Sequence, residues 1–274
     1  VVIGGEDDAR DRDGRQPRLT GGLDAAMLRS RTAAWRRLAA TTQDKVAANL
    51  EAWGDCWVAW SGGKDSTVAC DLAVRAWPRI PVVHLDSGLD FPENLAYMAD
   101  LAAARGWRHE TVRCGDGLAA MKAVGTWAHD DPEGASGALA EYWRVIMAGP
   151  SAIAQEKFGD RMLTGLRAEE SAKRARSLNR AAGHATLPGG LRAWSPIGHW
   201  AAADVWAYHC AHAIPENPVY TRLRQMGAPE RALRLGFAAG AEGAGGGRIM
   251  WLKRGWPDLF ERYAAVLPRL RELA

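Results

Sequence analysis

The chain has 274 residues, 47% of them hydrophobic, and 35 Lys and Arg against 32 Asp and Glu give a net charge of +3. That length and apolar content suit one large α/β domain, while a charge this mild does not by itself call for a polyanionic partner. No apolar run reaches the roughly 18 residues a membrane helix needs, and no basic start leads into an apolar stretch and cleavage site, so a cytoplasmic protein with no membrane partner is expected.

Residues 1–22 carry Glu6-Asp7-Asp8-Ala9-Arg10-Asp11-Arg12-Asp13-Gly14-Arg15 and little to bury. They are expected to be a disordered or loosely attached tail, which leaves 23–274 as a single α/β domain with a helical and loop extension at its C-terminal side. From Leu23 to Leu50, the positions Met27, Leu28, Ala34, Trp35, Leu38, Val46 and Leu50 fit one or two amphipathic helices that cover a sheet. Cys56 to Trp60 reads as the first strand and runs into Ser61-Gly62-Gly63-Lys64-Asp65-Ser66-Thr67, a glycine turn that opens a helix. Val68, Ala69, Leu72, Ala73 and Ala76 continue at helical spacing until Pro78, and Ile80 to Leu85 is a second strand ending at Asp86-Ser87-Gly88. Strand, helix and strand in about 30 residues make a βαβ unit with parallel strands. Ligands of such sheets bind beyond the carboxyl ends of the strands, so the glycine turn and Asp86 share one rim.

Pro92 to Arg105 predicts a helix closed by Gly106, and His109 to Arg113 a third strand. Cys114 to Gly137 reads as a loop over the rim, bringing Lys122, Trp127 and His129 within reach of a substrate. Leu139 to Phe158 predicts a helix broken at Gly149-Pro150, and Arg161 to Thr164 a fourth strand ending at Gly165-Leu166-Arg167. Arg167, Lys173, Arg174, Arg176, Arg180 and Arg192 then lie close together in sequence, either as a solvated face or as an anion site served by the planar guanidinium fork. A helix from Ala202 to His212, a turn from Ile214 to Tyr220, a glycine-rich mobile loop from Gly236 to Gly247 and a helix from Asp258 to Leu273 complete the chain. Thirteen tryptophans are assigned mainly to the core, with one or two left to flank a base. Cys56, Cys70, Cys114 and Cys210 contain no CxxC pair, so buried thiols are expected rather than a disulfide framework or a zinc ribbon.

The chemistry concentrates at Ser61 to Ser66. Unpaired N–H groups and the positive end of the macrodipole make a helix start an anion site, and glycines let a phosphate come close to the backbone. Ser61 and Ser66 add hydroxyls, and Lys64 can spread charge over a polyphosphate. The spacing is not that of a Walker A loop. Ser-Gly-Gly alone would read as a capped turn, but all six residues between strand and helix favour a phosphate loop.

This stretch resembles the PP-loop of the ATP pyrophosphatase superfamily. Leu85-Asp86-Ser87-Gly88 with Phe91-Pro92-Glu93, then Gly165-Leu166-Arg167-Ala168-Glu169-Glu170-Ser171, then Trp200 through Asp204-Val205-Trp206 to Ile214-Pro215 and Pro218-Val219-Tyr220, narrow the resemblance to the phosphoadenosine phosphosulfate (PAPS) reductase family. That family is similar to the small subunit of sulfate adenylyltransferase and to DndC-type proteins. The resemblance implies a Rossmann-like, doubly wound, mostly parallel sheet with helices on both faces. It implies that Ser61, Gly62, Gly63, Lys64, Asp65 and Ser66 hold pyrophosphate, that Asp86 and Gly88 border adenosine, and that Gly165, Arg167, Ser171 and Arg174 meet phosphate or the second substrate. Lys64, Asp65 and Arg167 would be catalytic, ATP and Mg²⁺ the cofactors, and no metal ligands are assigned.

The chain departs from the reductase pattern in having no cysteine after Cys210, where that branch carries a nucleophilic thiol, and it lacks the paired cysteines of an iron–sulfur cluster. The leading expectation is therefore an adenylyltransferase-like enzyme that attaches AMP to sulfate, a sulfonucleotide or another acceptor and releases pyrophosphate. A thiol-dependent reductase of PAPS or adenosine phosphosulfate (APS), with Cys114 as the best-placed thiol, is one alternative. A nucleic-acid-binding component of a modification system is another, and a partner subunit or a homo-oligomer is compatible with each.

Overall fold

In the computed structural model, residues 22–123, 144–180, 182–229, 233, 235 and 248–272 are described. The tail at 1–21, Trp127, His129 and the Gly236 to Gly247 stretch lie outside them.

Six strands form one sheet in the order β3-β2-β1-β4-β6-β5: β1 Trp57–Ala59, β2 Val82–Asp86, β3 His109–Arg113, β4 Arg161–Leu163, β5 His184–Thr186 and β6 Arg192–Trp194. All neighbours are parallel except β5 and β6, a hairpin that adds an antiparallel edge. The fold is thus the expected α/β class, with the hairpin as an unforeseen addition.

Alternation along β1 explains the two faces. Val58 and Trp60 join a core with α2 (Ala33–Trp53), α3 (Lys64–Ala76), α4 (Pro92–Arg105) and α8 (Ala202–Ala211), through Val46, Leu72, Met98 and Tyr208. Trp57 joins Val83, Met162, Ala154 and Phe158 on the other face, under α6 (Gly149–Phe158). Period-two strands between helices bury both faces, as parallel sheets require. A third cluster unites Leu89 and Phe91 with α9 (Pro218–Gln225), α10 (Arg248–Gly255) and α11 (Pro257–Val266). The remaining α-helices among the described residues are α1 (Gly22–Ser30), α5 (Gly117–Ala123) and α7 (Ala172–Arg180). No helix among the described residues is long and apolar enough to cross a membrane.

Several expectations need correction. Residues 117–123 of the proposed rim loop are helical, because Asp116 Oδ1 accepts from the Leu118 and Ala119 amides and starts α5. Arg144–Ala148 form a π-helical turn that passes directly into α6 at Gly149, so the helix expected before Phe158 does change its hydrogen-bond pattern at Gly149-Pro150, where proline has no N–H to give. The C-terminal helix ends at Val266, ahead of Pro268, and a short 3-10 turn follows. The basic run is also divided. Arg192 pairs in register with Arg161 at the amino end of β4 and bonds Asp160 at 2.8 Å, away from the carboxyl-end rim. Trp194 and Trp200 are buried, and Trp200 Nε1 donates to Thr42 at 3.1 Å, so neither ring is displayed for stacking on a base.

Candidate nucleotide site at the sheet switch point

With β1 flanked by β2 on one side and β4 on the other, the loops leaving β1 and β4 open the crevice where doubly wound sheets bind ligands. The β1 loop is Ser61 to Gly63, and α3 starts at Lys64. Gly62 has φ +74°, and a side chain there would strike Asn94 Oδ1 at 2.0 Å, so glycine is required by both conformation and space.

Four consecutive carbonyls of this turn are each held by a protein donor. Asn94 Nδ2 donates to Ser61 O at 3.1 Å, and Asn217 Nδ2 to Gly62 O at 3.1 Å. Gly63 O accepts from Ser66 Oγ at 3.0 Å and Thr67 Oγ1 at 2.8 Å, and His209 Nε2 donates to Lys64 O at 2.9 Å. Asn94 and Asn217 are buried and joined to each other, Asn217 Nδ2 to Asn94 Oδ1, at 2.7 Å. With these acceptors tied back, and with Ser61 N donating to Ser66 Oγ at 3.3 Å, the donors left at the helix start are the amides of Asp65 and Ser66. The Asp65 and Ser66 N–H groups precede the first intrahelical bond of α3, Thr67 N to Gly63 O at 2.9 Å. Ser61 Oγ lies 3.1 Å from Ser66 Oγ, so the two hydroxyls are neighbours on one side of the turn. Tyr220 Oη accepts from Lys64 N at 3.2 Å and fixes the helix start against α9.

The β4 loop closes the other wall. A Cβ on Gly165 would lie 2.4 Å from Ser66 N and 2.5 Å from Ser66 Cα, so only glycine leaves that amide uncovered. Arg167 is 4% exposed and spans three acceptors: Asp65 Oδ1 at 2.5 Å, Glu169 Oε2 at 2.6 Å and Trp200 O at 3.1 Å. Lys64 Nζ takes the other oxygen of Asp65 at 2.8 Å. Asp65 is therefore a bridge between two cations, and Arg167 is a strut between the helix start and Trp200. Burial opposes the Arg167 charge, yet Asp65 and Glu169 outweigh it and hold its pKa above the usual value.

Asp86 and Gly88 sit at the end of β2, where Gly88 N donates to Asp86 Oδ1 at 2.7 Å and Arg113 Nε approaches Asp86 Oδ2 at 3.2 Å. Ser171 and Arg174 lie one turn beyond Arg167, at the start of α7. There Ser171 Oγ accepts from Arg174 N at 3.2 Å, and Arg174 pairs with Glu170. The structure thus brings Ser61 to Ser66, Gly165 and Arg167 into one cradle, with Asp86 and Gly88 on the adjacent strand end and Ser171 and Arg174 at its margin. Asn94, Asn217, His209 and Tyr220 were not foreseen as site residues. Their only local signal is position: Asn94 follows Phe91-Pro92-Glu93, and Asn217 and Tyr220 fall around Pro218-Val219.

The histidines give a pH expectation. Burial lowers the pKa of His209, and likewise those of His109 and His212. In each case the unfolded chain binds a proton more readily than the fold, so this stabilisation is complete above the unfolded value of about 6.5 and is lost as pH falls through the lowered folded value. For His84, burial acts downward but the Asp90 carboxylate more than offsets it. Its raised pKa adds stability below the unfolded value, which is lost as pH rises through the folded one. Three against one, the urea midpoint is expected to fall on acidification below about pH 6.5, and to fall less in His209→Gln. A midpoint that rises with acid would contradict this.

A mostly parallel α/β sheet flanked by helices, with the glycine turn at its switch point, is a Rossmann-like fold of the adenine-nucleotide alpha-hydrolase class. Residues 55–227 match the phosphoadenosine phosphosulfate reductase domain, and the chain belongs to that family, which is tied to sulfur metabolism. It is 31% identical over 173 residues to adenosine 5'-phosphosulfate reductase of Streptomyces coelicolor, covering 62% of this chain and 68% of that one. It is 27% identical over 186 residues to sulfate adenylyltransferase subunit 2 of Mycolicibacterium vanbaalenii, covering 59% and 56%. In fold it is similar to PAPS reductase from Candida auris solved as a phosphate complex, with TM-score 0.51, 17% identity and coverage of 70% and 90%. The chain spans about half the length of several curated relatives that it matches, 42% of one and 56% of another.

Proposed function

We propose that this cradle binds the anionic end of an adenine nucleotide, and that the enzyme acts on a sulfonucleotide of the APS or PAPS kind or on ATP. The observation that carries the reading is the set of four tied-back carbonyls from Ser61 to Lys64, which leaves the Asp65 and Ser66 amides, the Ser61 hydroxyl and Lys64 around one turn. Phosphate and sulfate offer the same oxygen acceptors to such donors.

The reductases among the relatives favour the sulfonucleotide. A thiolate would attack the sulfur and expel the nucleotide as the sulfur–oxygen bond breaks, leaving an S-sulfonated cysteine; a thiol of a separate dithiol reductant would then attack that cysteine's sulfur, forming a mixed disulfide and releasing sulfite. Cys56 and Cys70 are ill suited, since burial pushes Cys56 up to about 12 and Cys70 well above its usual value; Cys210 is raised as well. Cys114 is partly exposed directly after β3, at the carboxyl end of the sheet, and is the thiol the reading assigns. Adenylyl transfer is the second reading, favoured by relatives named as sulfate adenylyltransferase subunits, which also support a partner chain. In that case Mg²⁺ would arrive with the nucleotide, because both Asp65 oxygens already face cations.

Calorimetry with APS, PAPS and ATP·Mg²⁺ is the test. Lys64→Ala is expected to weaken the preferred nucleotide by about 1.5 to 3 kcal/mol, on the order of tenfold to a hundredfold. Sulfite release that disappears in Cys114→Ser supports reduction; pyrophosphate–ATP exchange supports adenylyl transfer. Equal affinities of wild type and Lys64→Ala for all three nucleotides would reject the cradle as the phosphate site.

A further inference from the structure

Beside the cradle, His84 and Asp86 on β2 and Asp90 in the following turn place one donor atom each within 4.8 Å of one another. The His84 side chain is 4% exposed. Its Nδ1 lies 3.2 Å from Trp60 O, and since a carbonyl only accepts, that nitrogen carries the proton. In the neutral ring Nε2 is then a bare lone pair. It has no hydrogen-bond partner and points at Asp90 Oδ2, 3.4 Å away. A lone pair facing a carboxylate is unfavourable unless a positive charge lies between them.

We propose that His84, Asp86 and Asp90 bind one divalent transition-metal ion. Two ligands at about 2.0 to 2.1 Å from a tetrahedral zinc-like ion stand about 3.3 Å apart, close to the observed His84–Asp90 spacing. The outer contacts orient the donors as metal sites require. Trp60 O fixes the imidazole tautomer, Asn94 Nδ2 holds Asp90 Oδ1 at 3.1 Å, and Gly88 N holds Asp86 Oδ1 at 2.7 Å. Asp86 Oδ2 faces Arg113, whose side chain is 60% exposed and free to swing toward solvent as an ion enters. One imidazole with two carboxylates suits zinc, cobalt, manganese or ferrous iron better than magnesium or calcium, which favour all-oxygen shells. Asn94 bonds both Asp90 Oδ1 and Ser61 O, so an ion here would stiffen the phosphate turn from behind. A proton is the rival occupant, in a His84 imidazolium–Asp90 pair.

The full chain, stripped with chelator and free of nucleotide, is titrated with Co²⁺ at near-neutral pH by calorimetry and visible absorption. The absence of nucleotide separates this result from the nucleotide reading and from metal carried by phosphates. One equivalent is expected to bind with visible ligand-field bands, and His84→Gln and Asp90→Asn each to weaken it by more than about tenfold. His84→Gln gives up the Trp60 contact and can disturb β2. Asp90→Asn keeps Oδ1 for Asn94, preserves the fold by circular dichroism, and is the deciding variant. No binding up to about 1 mM Co²⁺, the millimolar regime of nonspecific association, would assign the site to a proton and overturn the proposal, as would unchanged binding in Asp90→Asn.

Discussion

Gly165→Ala is expected to lower nucleotide affinity on the order of a hundredfold while also destabilising the fold by about 1 to 3 kcal/mol. The added methyl would lie 2.4 Å from Ser66 N, 2.5 Å from Ser66 Cα and 2.6 Å from Asp65 C. All three are backbone atoms, so no rotamer change relieves the contact. Either the end of β4 or the start of α3 must move, and α3 is held behind by Val68, Ala69 and Leu72 in the core. Gly165 is not among the glycines with positive φ, so alanine meets no conformational penalty and the effect is one of space alone. A useful contrast is Gly63→Ala, whose methyl would meet the Tyr220 hydroxyl at 3.3 Å and Ser61 Oγ at 3.4 Å, where small side-chain shifts suffice. Urea unfolding and nucleotide calorimetry on both variants check the claim. Wild-type affinity in Gly165→Ala would show that the β4 loop does not border the phosphate site.

That asymmetry between the two glycines also marks how far the sequence could be read. Ser61 to Ser66 was legible because the residues that shape the turn are contiguous and end a strand, so chemistry and local geometry coincide. Gly165 and Arg167 were placed at the rim through the strand that precedes them, but their contacts with Ser66 and Asp65 depend on β4 lying beside β1. The donors that hold the turn were out of view: Asn94 is 33 residues from its carbonyl partner, His209 145 and Asn217 155. An asparagine before a proline reads as a helix cap, and Asn217 Oδ1 does cap α9 by accepting from Val219 N at 3.0 Å. The second task of the same side chain, carried by Nδ2, exists only in the folded chain. The β5–β6 hairpin was missed for a different reason. His184-Ala185-Thr186 is too short to show a hydrophobic period, and Leu187-Pro188-Gly189-Gly190 reads as a breaker when nothing marks the strand before it.

Arg167 is the residue at which fold and site are hardest to separate, and Arg167→Ala is expected to cost about 3 kcal/mol of stability. The figure sits at the low end for a broken buried ion pair, because Glu169 is 55% exposed and turns to water when its partner is lost. Asp65, 15% exposed, is left with Lys64 as its remaining cation, and Trp200 O loses a charged donor in the interior. Arg167→Lys keeps the charge but not the planar fork, so a single ammonium cannot reach Asp65, Glu169 and Trp200 O together, and about half of the loss should remain. Effects on nucleotide binding should follow those on the helix start. Freed from Arg167, Asp65 repels an incoming phosphate, and affinity in Arg167→Ala should fall more than in Lys64→Ala. The double variant Asp65→Asn with Arg167→Ala removes that exposed charge, and recovery of part of the affinity there would identify Arg167 as a neutralising strut. Failure to recover any affinity would instead assign its guanidinium to direct contact with the nucleotide.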